Sequence, residues 1–227
     1  MKTMDILGIT FKYYSLRESL RLTEQYMKTG PLSTVVCVSK KQLIEAADHA
    51  ELKEWVEHAD LTVFCDPDIL ETEKNISRTR LKEAENQEYV HEFLKRAVKT
   101  RSKIFLLSDS KEQVDLLRET LFGRQGSLNI AGEGVLQGQE ETEADSTLVN
   151  EINSVAPRVI IARLPFTELC SFVERNRRFI NAGLLLGLPQ EGILAAEPRG
   201  FFKLTGYAYR KIFRHRVKKY NHQEKTE

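Results

Sequence analysis

Residues 59–70 read ADLTVFCDPDIL. Leu61–Cys65 is a short apolar run with Thr62, Val63 and Phe64 at its centre, the composition of a buried strand. The run stops at Asp66-Pro67-Asp68. Pro67 has no N–H to give a ladder and pushes Asp66 toward extended or turn backbone, so the strand ends there. In an open α/β sheet the carboxyl ends of the strands face the ligand crevice, and a carboxylate at that edge is placed to act as a general base. Asp is also a common turn former that binds the backbone two residues on. Both readings of Asp66 follow from the residues, and they demand different surroundings.

Upstream, Thr34–Ser39 (TVVCVS) is a second continuous β-branched run. Between the two lies one helix over Gln42–His58, carried by Leu43, Ala46, Ala47 and Ala50 and then by Trp55 and Val56. Strand, helix, strand predicts a parallel pair. Before it, Ile6–Phe11 reads as a short strand or hairpin arm, and Leu16, Leu20 and Met27 mark a helix closed by Gly30-Pro31.

Downstream, Glu71–Asn86 is polar and without apolar period, which predicts a surface excursion with one helical turn. Val90, Phe93, Leu94, Ala97 and Val98 line one helix face, IFLL at 104–107 is a strand, and Val114, Leu117 and Leu121 mark a helix ending near Gly123. Leu128–Ala131 is a weak strand. Gly132–Asp145, with three glycines and five acidic residues, predicts a mobile loop leading into a helix marked by Leu148, Ile152 and Val155. A strand at 159–162 (VIIA), a helix with Leu169, Phe172, Val173 and Ile180, and a last strand at 184–188 (LLLGL) follow. The alternation predicts an α/β fold. It is a single Rossmann-like domain with a mostly parallel sheet over residues 1–200, followed by a basic aromatic appendage over 201–227.

Composition supports this class. The chain has 227 residues, 41% of them hydrophobic and 30% charged, as in an ordinary globular domain. Lys and Arg total 34 against 33 Asp and Glu, so bulk charge gives no sign of a nucleic-acid partner. Cys37, Cys65 and Cys170 sit far apart in apolar segments, the pattern of reduced, buried thiols in a cytosolic protein. The N-terminal apolar run is too short for a signal peptide, and no segment reaches bilayer-spanning length, which predicts an intracellular or peripheral protein.

No phosphate-cradling glycine loop, dinucleotide fingerprint or strand-ending His pair is present. Ser108-Asp109-Ser110 either turns N–H groups toward a diphosphate or is a plain helix cap, with Ser110 at the cap and Gln113 three residues on. Gly132-Glu133-Gly134 is a ligand loop or a bare surface loop. In Leu164–Glu168, Thr167 is a cap candidate, and Thr167 and Glu168 are site candidates facing the crevice. The tail mixes Arg210, Lys211, Arg214, Arg216, Lys218 and Lys219 with Tyr207, Tyr209, Phe213 and Tyr220. That mixture suits an anionic membrane surface, a basic RNA-binding tail or a solubilising last helix. Its cations and rings alternate too closely to predict one clean apolar face.

Taken in order, these pieces resemble the WecG/TagA/CpsF family of glycosyltransferases. ADLTVFCD is similar to the family's AD-apolar-DG segment, EINSVAPRVIIARLPFTE (Glu151–Glu168) to its IN…PD-apolar-G-PKQE segment, and Tyr209-Arg210 with the cations after it to its basic C-terminal appendage. The resemblance implies an α/β fold and a reaction without metal or cofactor. N-acetylmannosamine or another sugar passes from a UDP donor to a polyprenyl-linked saccharide, in teichoic acid or other bacterial surface-polysaccharide synthesis. It implies a cytoplasmic enzyme, peripheral at the inner face of the cell membrane and held there by its tail; a homo-oligomer is also compatible. Asp66 would be the base at the carboxyl end of a central strand, close to the Leu164–Glu168 loop. Arg80, or Arg210 or Arg214 of the tail, would hold the diphosphate, with Thr167 and Glu168 binding substrate. Departures from the family pattern are Pro67 for a glycine, Val38 and Lys40 for Thr and Asn, Ser108 and Asp109 for glycines, Phe166 and Thr167 for Lys and Gln, and Pro189-Gln190 for a glycine pair. They leave a second class open: a member that binds a sugar-nucleotide, a lipid-linked sugar or a partner transferase without turnover.

Overall fold

The computed structural model of the chain describes residues 2–28, 30–73, 75–136, 142–191 and 201–223. It opens with an antiparallel hairpin, β1 (Lys2–Ile6) and β2 (Ile9–Tyr13). The turn is Leu7-Gly8, both at positive φ (55° and 76°), the backbone that matches the twist of a two-residue hairpin. The apolar run Ile6–Phe11 is therefore two strands and their turn. α1 (Leu16–Tyr26) starts on a full capping box, with Ser15 accepting from the Glu18 N–H and Glu18 accepting from the Ser15 N–H. Such a cap stabilises a helix by about 1 kcal/mol.

β3 (Ser33–Val38) is buried along its whole length. The expected single helix after it is two, α2 (Lys40–Asp48) and α3 (Ala50–His58), because His49 takes extended backbone (φ −129°, ψ 114°). β4 (Leu61–Phe64) runs into a short turn of helix, α4 (Pro67–Leu70). The polar stretch after it holds α5 (Arg78–Glu85), a longer helix than the one turn expected, capped by Ser77. α6 (Glu88–Lys99), β5 (Lys103–Ser108) and α7 (Lys111–Arg124) fall where their apolar spacing puts them.

β6 (Asn129–Val135) overturns the loop expected from Gly132 onward. A Cβ at Gly134 would lie 2.5 Å from Leu148 Cδ1, and one at Gly132 would lie 2.9 Å from the Phe105 ring. The glycines are there for close packing beneath a neighbouring strand and helix, and Gly132-Glu133-Gly134 is strand rather than ligand loop. Residues 137–141 of the expected loop lie outside the described residues. α8 (Thr142–Val155), β7 (Val159–Arg163), α9 (Phe166–Asn176), β8 (Leu184–Gly187) and α10 (Phe201–Gln223) complete the chain.

The main sheet has six parallel strands in the order β4-β3-β8-β7-β5-β6. Both faces are covered, which is why its strands read as unbroken apolar runs. Side chains of α2, α3, α8 and α9 pack on one face together with the hairpin, and those of α1, α6 and α7 on the other. Phe11 of β2 meets Phe64 of β4 edge-on at 5.2 Å, so the hairpin shields the sheet margin at β4. Cys37, Cys65 and Cys170 are buried and unpaired. Among the described residues no helix is long and apolar enough to cross a membrane.

The tail corrects the expectation that it lacks an apolar face. Phe213 is fully buried in the core that α2, α3, α8, α9 and the hairpin share, and Val217 and Tyr220 pack against it. Their spacing of four and then three residues is one helix face, hidden in sequence by the cations between. It rests α10 on α2 and presses Tyr220 against Gly8 of the hairpin turn.

Candidate functional site

All six strands are parallel, so their carboxyl ends share one edge of the sheet. Along that edge neighbouring strands send the chain to opposite faces more than once, and two such places carry expected site residues. β3 feeds α2 on one face, while the chain after β4 passes round the sheet margin to α6 on the other. β5 feeds α7 and its neighbour β7 feeds α9, again on opposite faces. Such divergence opens a crevice where α/β proteins bind ligands.

The β3/β4 crevice is a lattice of charges. A capping box between Ser39 and Gln42 fixes the start of α2, and with it Lys40. Lys40 Nζ lies 2.7 Å from Asp66 Oδ2 and 2.6 Å from Asp68 Oδ2. Asp66 caps α4: its Oδ1 accepts from the Asp68 N–H at 3.0 Å, with Pro67 at the first helical position. α10 adds two arginines, Arg210 Nε at 2.7 Å from Asp68 Oδ1 and Arg214 Nη2 at 2.6 Å from Glu71 Oε2. Three cations thus meet three carboxylates, with Asp66 and Asp68 mostly withdrawn from solvent (side chains 19% and 11% exposed).

The β5/β7 crevice is built differently. Ser110 caps α7 by accepting from the Gln113 N–H at 3.2 Å, as its spacing predicts. Ser108 Oγ donates to the Arg163 carbonyl at 2.6 Å, and Gln190 Nε2 donates to Asp109 Oδ2 at 2.8 Å. The buried Arg163 guanidinium donates to the Gln190 carbonyl. Glu168, in the first turn of α9, is held above its ordinary value by burial and by the neighbouring charge of Asp109. Thr167 stands beside it but is not the cap; Pro165 occupies that position, without a side-chain hydrogen bond. Between the crevices a hollow of about 140 Å³ includes Lys41, Phe166 and Gln190. Lys41 is bridged to Glu191 at 2.7 Å, with its Nζ 6.0 Å from the Tyr209 ring.

The expected site residues therefore divide into groups. Asp66, Arg210 and Arg214 come together, linked through Lys40, Asp68 and Glu71. Asp66 does end a strand at the carboxyl edge, but β4 is the outermost strand of the sheet and not a central one. The Leu164–Glu168 loop ends β7, three strand spacings or about 14 Å away, so Thr167 and Glu168 belong to the other crevice. Arg80 joins neither. Its Nε donates to the Tyr13 hydroxyl at 2.9 Å, Nη2 to the Tyr14 carbonyl at 2.6 Å and Nη1 to Glu83 at 2.6 Å, and the guanidinium stacks 5.0 Å from the Tyr13 ring centre. Its buried charge is retained because these partners outweigh the burial that lowers it, and its pKa stays above the usual arginine value. Sequence reading passed over Asp68 and Glu71 and noted Lys40 only as a departure. The legible signal was a strand-end lysine at one βα junction and an Asp-Pro-Asp at the next.

Among the described residues no group of three His, Cys, Asp or Glu side chains could hold a metal ion. Compared with curated proteins, the sequence gives no significant match. Compared with family models, residues 4–189 match one, covering most of the hairpin and all six strands of the main sheet, and the chain belongs to the glycosyl transferase WecG/TagA/CpsF family.

Proposed function

We propose that the chain moves a sugar, N-acetylmannosamine or a close relative, from a UDP donor to a lipid-linked saccharide in the assembly of teichoic acid or another cell-surface polysaccharide. The observation that carries this reading is the meeting of a strand-end carboxylate, Asp66, with cations from two distant parts of the chain at one crevice. In an inverting transfer the acceptor oxygen attacks the anomeric carbon while its proton passes to Asp66. The anomeric C–O bond breaks and its electron pair leaves with UDP. Arg210 and Arg214 steady the diphosphate as charge builds on it, and Lys40 helps from the other side. Thr167 and Glu168, at the β5/β7 crevice, take an uncharged, hydroxyl-bearing part of the donor, which Asp109 does not repel. The segment from residue 201 acts as an appendage. Arg210 and Arg214 face the crevice, and the exposed Lys211, Ile212, Lys218 and Lys219 face the inner surface of the membrane, where the acceptor is anchored.

One observation favours the alternative of binding without turnover. Asp66 already has one oxygen on Lys40 and the other on the Asp68 N–H, and a base must give up such partners to take a proton. A single assay separates the two. Purified full-length chain is incubated with UDP-N-acetylmannosamine and a lipid-linked acceptor, reading UDP release and UDP affinity. Turnover in wild type that falls about 10²- to 10⁴-fold in Asp66→Asn, with UDP affinity kept, is the expected result. UDP binding without release establishes the sugar-nucleotide form of the alternative, and the absence of any UDP-sugar binding overturns both the transfer and that form, leaving a member that binds a lipid-linked sugar or a partner transferase.

A further inference from the structure

Away from both crevices, a cleft of about 650 Å³ lies between the N-terminal hairpin and the link from α4 to α5. That is the volume range of small-ligand sites. Its walls are Thr3 and Met4 of β1, Tyr13, Tyr14 and Ser15 at the corner into α1, and Asn75, Ile76 and Arg80 opposite. The mixture is specific in kind. Two tyrosines with Ile76 supply ring faces and apolar surface, while hydroxyl, amide and carboxylate groups stand around them. A pyranose asks for this combination, with an apolar C–H face to lay on an aromatic ring and a rim of hydroxyls that both donate and accept.

Among the described residues, the lining charges do not call for a phosphate. The described lining carries two carboxylates, Glu18 and Glu73, against one cation, Arg80. Arg80 is not available as an anion receptor, since Glu83, Tyr13 and the Tyr14 carbonyl each hold one of its nitrogens. These anchors do something else: they lock Arg80 and Tyr13 into a rigid wall before any ligand arrives, which lowers the ordering cost of binding. The cation-rich β3/β4 crevice and this neutral-to-acidic cleft thus suit the two different halves of a transfer reaction. A smaller cavity that shares Tyr13, Tyr14 and Arg80 runs inward to Phe64, Cys65 and Leu70, beside the end of β4 that Asp66 follows.

We propose that this cleft binds a neutral sugar ring of the acceptor saccharide, an assignment that rests on the transferase reading above. The sugar lies against Tyr13 and Tyr14, with Asn75 and Glu73 meeting its hydroxyls, outside the region that holds the donor.

The test is saturation-transfer NMR on the full chain with chitobiose, cellobiose, maltose and lactose as probes, alongside UDP affinity measured on the same samples. Asn75→Trp fills the exposed rim of the cleft, and Tyr14→Ala removes a ring from its wall; thermal midpoints report whether each variant folds. The expected result is saturation transfer to at least one disaccharide in wild type that survives excess UDP and weakens at least about tenfold in Asn75→Trp, with UDP affinity unchanged. Sugar signals that vanish on adding UDP put the sugar in the donor site and overturn the proposal, as do signals that persist in a folded Asn75→Trp chain. A wild type that binds UDP but none of the sugars overturns the cleft and leaves the transferase reading standing. Sugar binding lost in Asn75→Trp, in a chain that does not bind UDP, keeps the cleft and removes the transferase reading.

Discussion

The two crevices on the carboxyl edge solve the same electrostatic problem in opposite ways. At β3/β4, carboxylates are gathered and each is matched by a cation brought from elsewhere, Lys40 from α2 and Arg210 and Arg214 from the last helix. At β5/β7, Asp109 and Glu168 face each other; Asp109 is met by the neutral amide of Gln190, and Arg163 is turned to a carbonyl. The difference teaches where an anionic ligand can go. A diphosphate entering the first crevice exchanges partners with Asp68 and Glu71, so its binding competes with contacts already made. Entering the second, it meets the like charges of Asp109 and Glu168, which form no ion pair among the described residues. The first crevice also depends on a helix well outside the matched family region, whereas the second reaches just past that region, to the adjacent Gln190.

That dependence is the easiest part to break. Phe213 is the fully buried anchor of α10, and Phe213→Ala is expected to destabilise the chain by about 3–5 kcal/mol, read from chemical denaturation. The β3/β4 crevice loses its arginines when the helix loosens, so UDP affinity falls with stability. An unchanged unfolding free energy would mean that α10 is held by its ion pairs alone. Lys40→Met comes next. It leaves Asp66 and Asp68 facing the same space without their shared cation, at an expected cost of about 1–3 kcal/mol. Double replacement by Lys40→Met with Asp68→Asn is expected to recover part of that loss, because one of the two stranded charges is gone. No recovery would show that Lys40 acts through packing of its stem.

A smaller effect separates the two sides of α10. Arg210 and Arg214 are about half exposed, and exposed pairs contribute only about 0.2–1 kcal/mol each. Arg210→Ala with Arg214→Ala is expected to lower stability slightly, and less so at high salt, while leaving co-sedimentation with anionic vesicles intact. Replacing Lys211, Lys218 and Lys219 by Ala is expected to do the reverse, abolishing vesicle binding with stability unchanged. The two sets giving the same result would dissolve the distinction between the crevice side and the membrane side.

What could be read in advance, and what could not, follows the range of the interactions. The strands at 33–38, 61–64, 103–108, 159–163 and 184–187 are legible because burial on both faces makes them continuous apolar runs. β6 is not legible past Ala131, since Gly132 and Gly134 are dictated by Phe105 and Leu148, residues that local pattern does not bring near. Asp66 was found, but its meaning was not. Turn cap and charge partner coexist there, and the partner arrives only because β3 and β4 are adjacent, which no window of sequence contains. Strand order is likewise non-local, and it alone decides that Asp66 and Glu168 belong to different crevices. The stripe Phe213, Val217 and Tyr220 was present in the sequence but masked by the cations around it.

The subtlest consequence of the comparison concerns pH. Glu168 sits above the usual 4.5 because burial and Asp109 both oppose its charge. Between 4.5 and its raised value the folded chain binds more proton than the unfolded one. The sign follows directly: this contribution to stability is fully present below the ordinary carboxyl value and is lost as pH rises through the raised one. Glu168→Gln removes the titration, so the variant is expected to be more stable than wild type at neutral pH, with the gap closing as pH falls below 4.5. Asp109→Asn is expected to give part of the same gain, because it removes one of the two causes while its amide oxygen can still accept from Gln190. Denaturation midpoints of the three chains across the acid range check this. A Glu168→Gln chain that is less stable than wild type at neutral pH would mean that the carboxylate is held by a cation after all, and the contrast between the two crevices would lose its electrostatic basis.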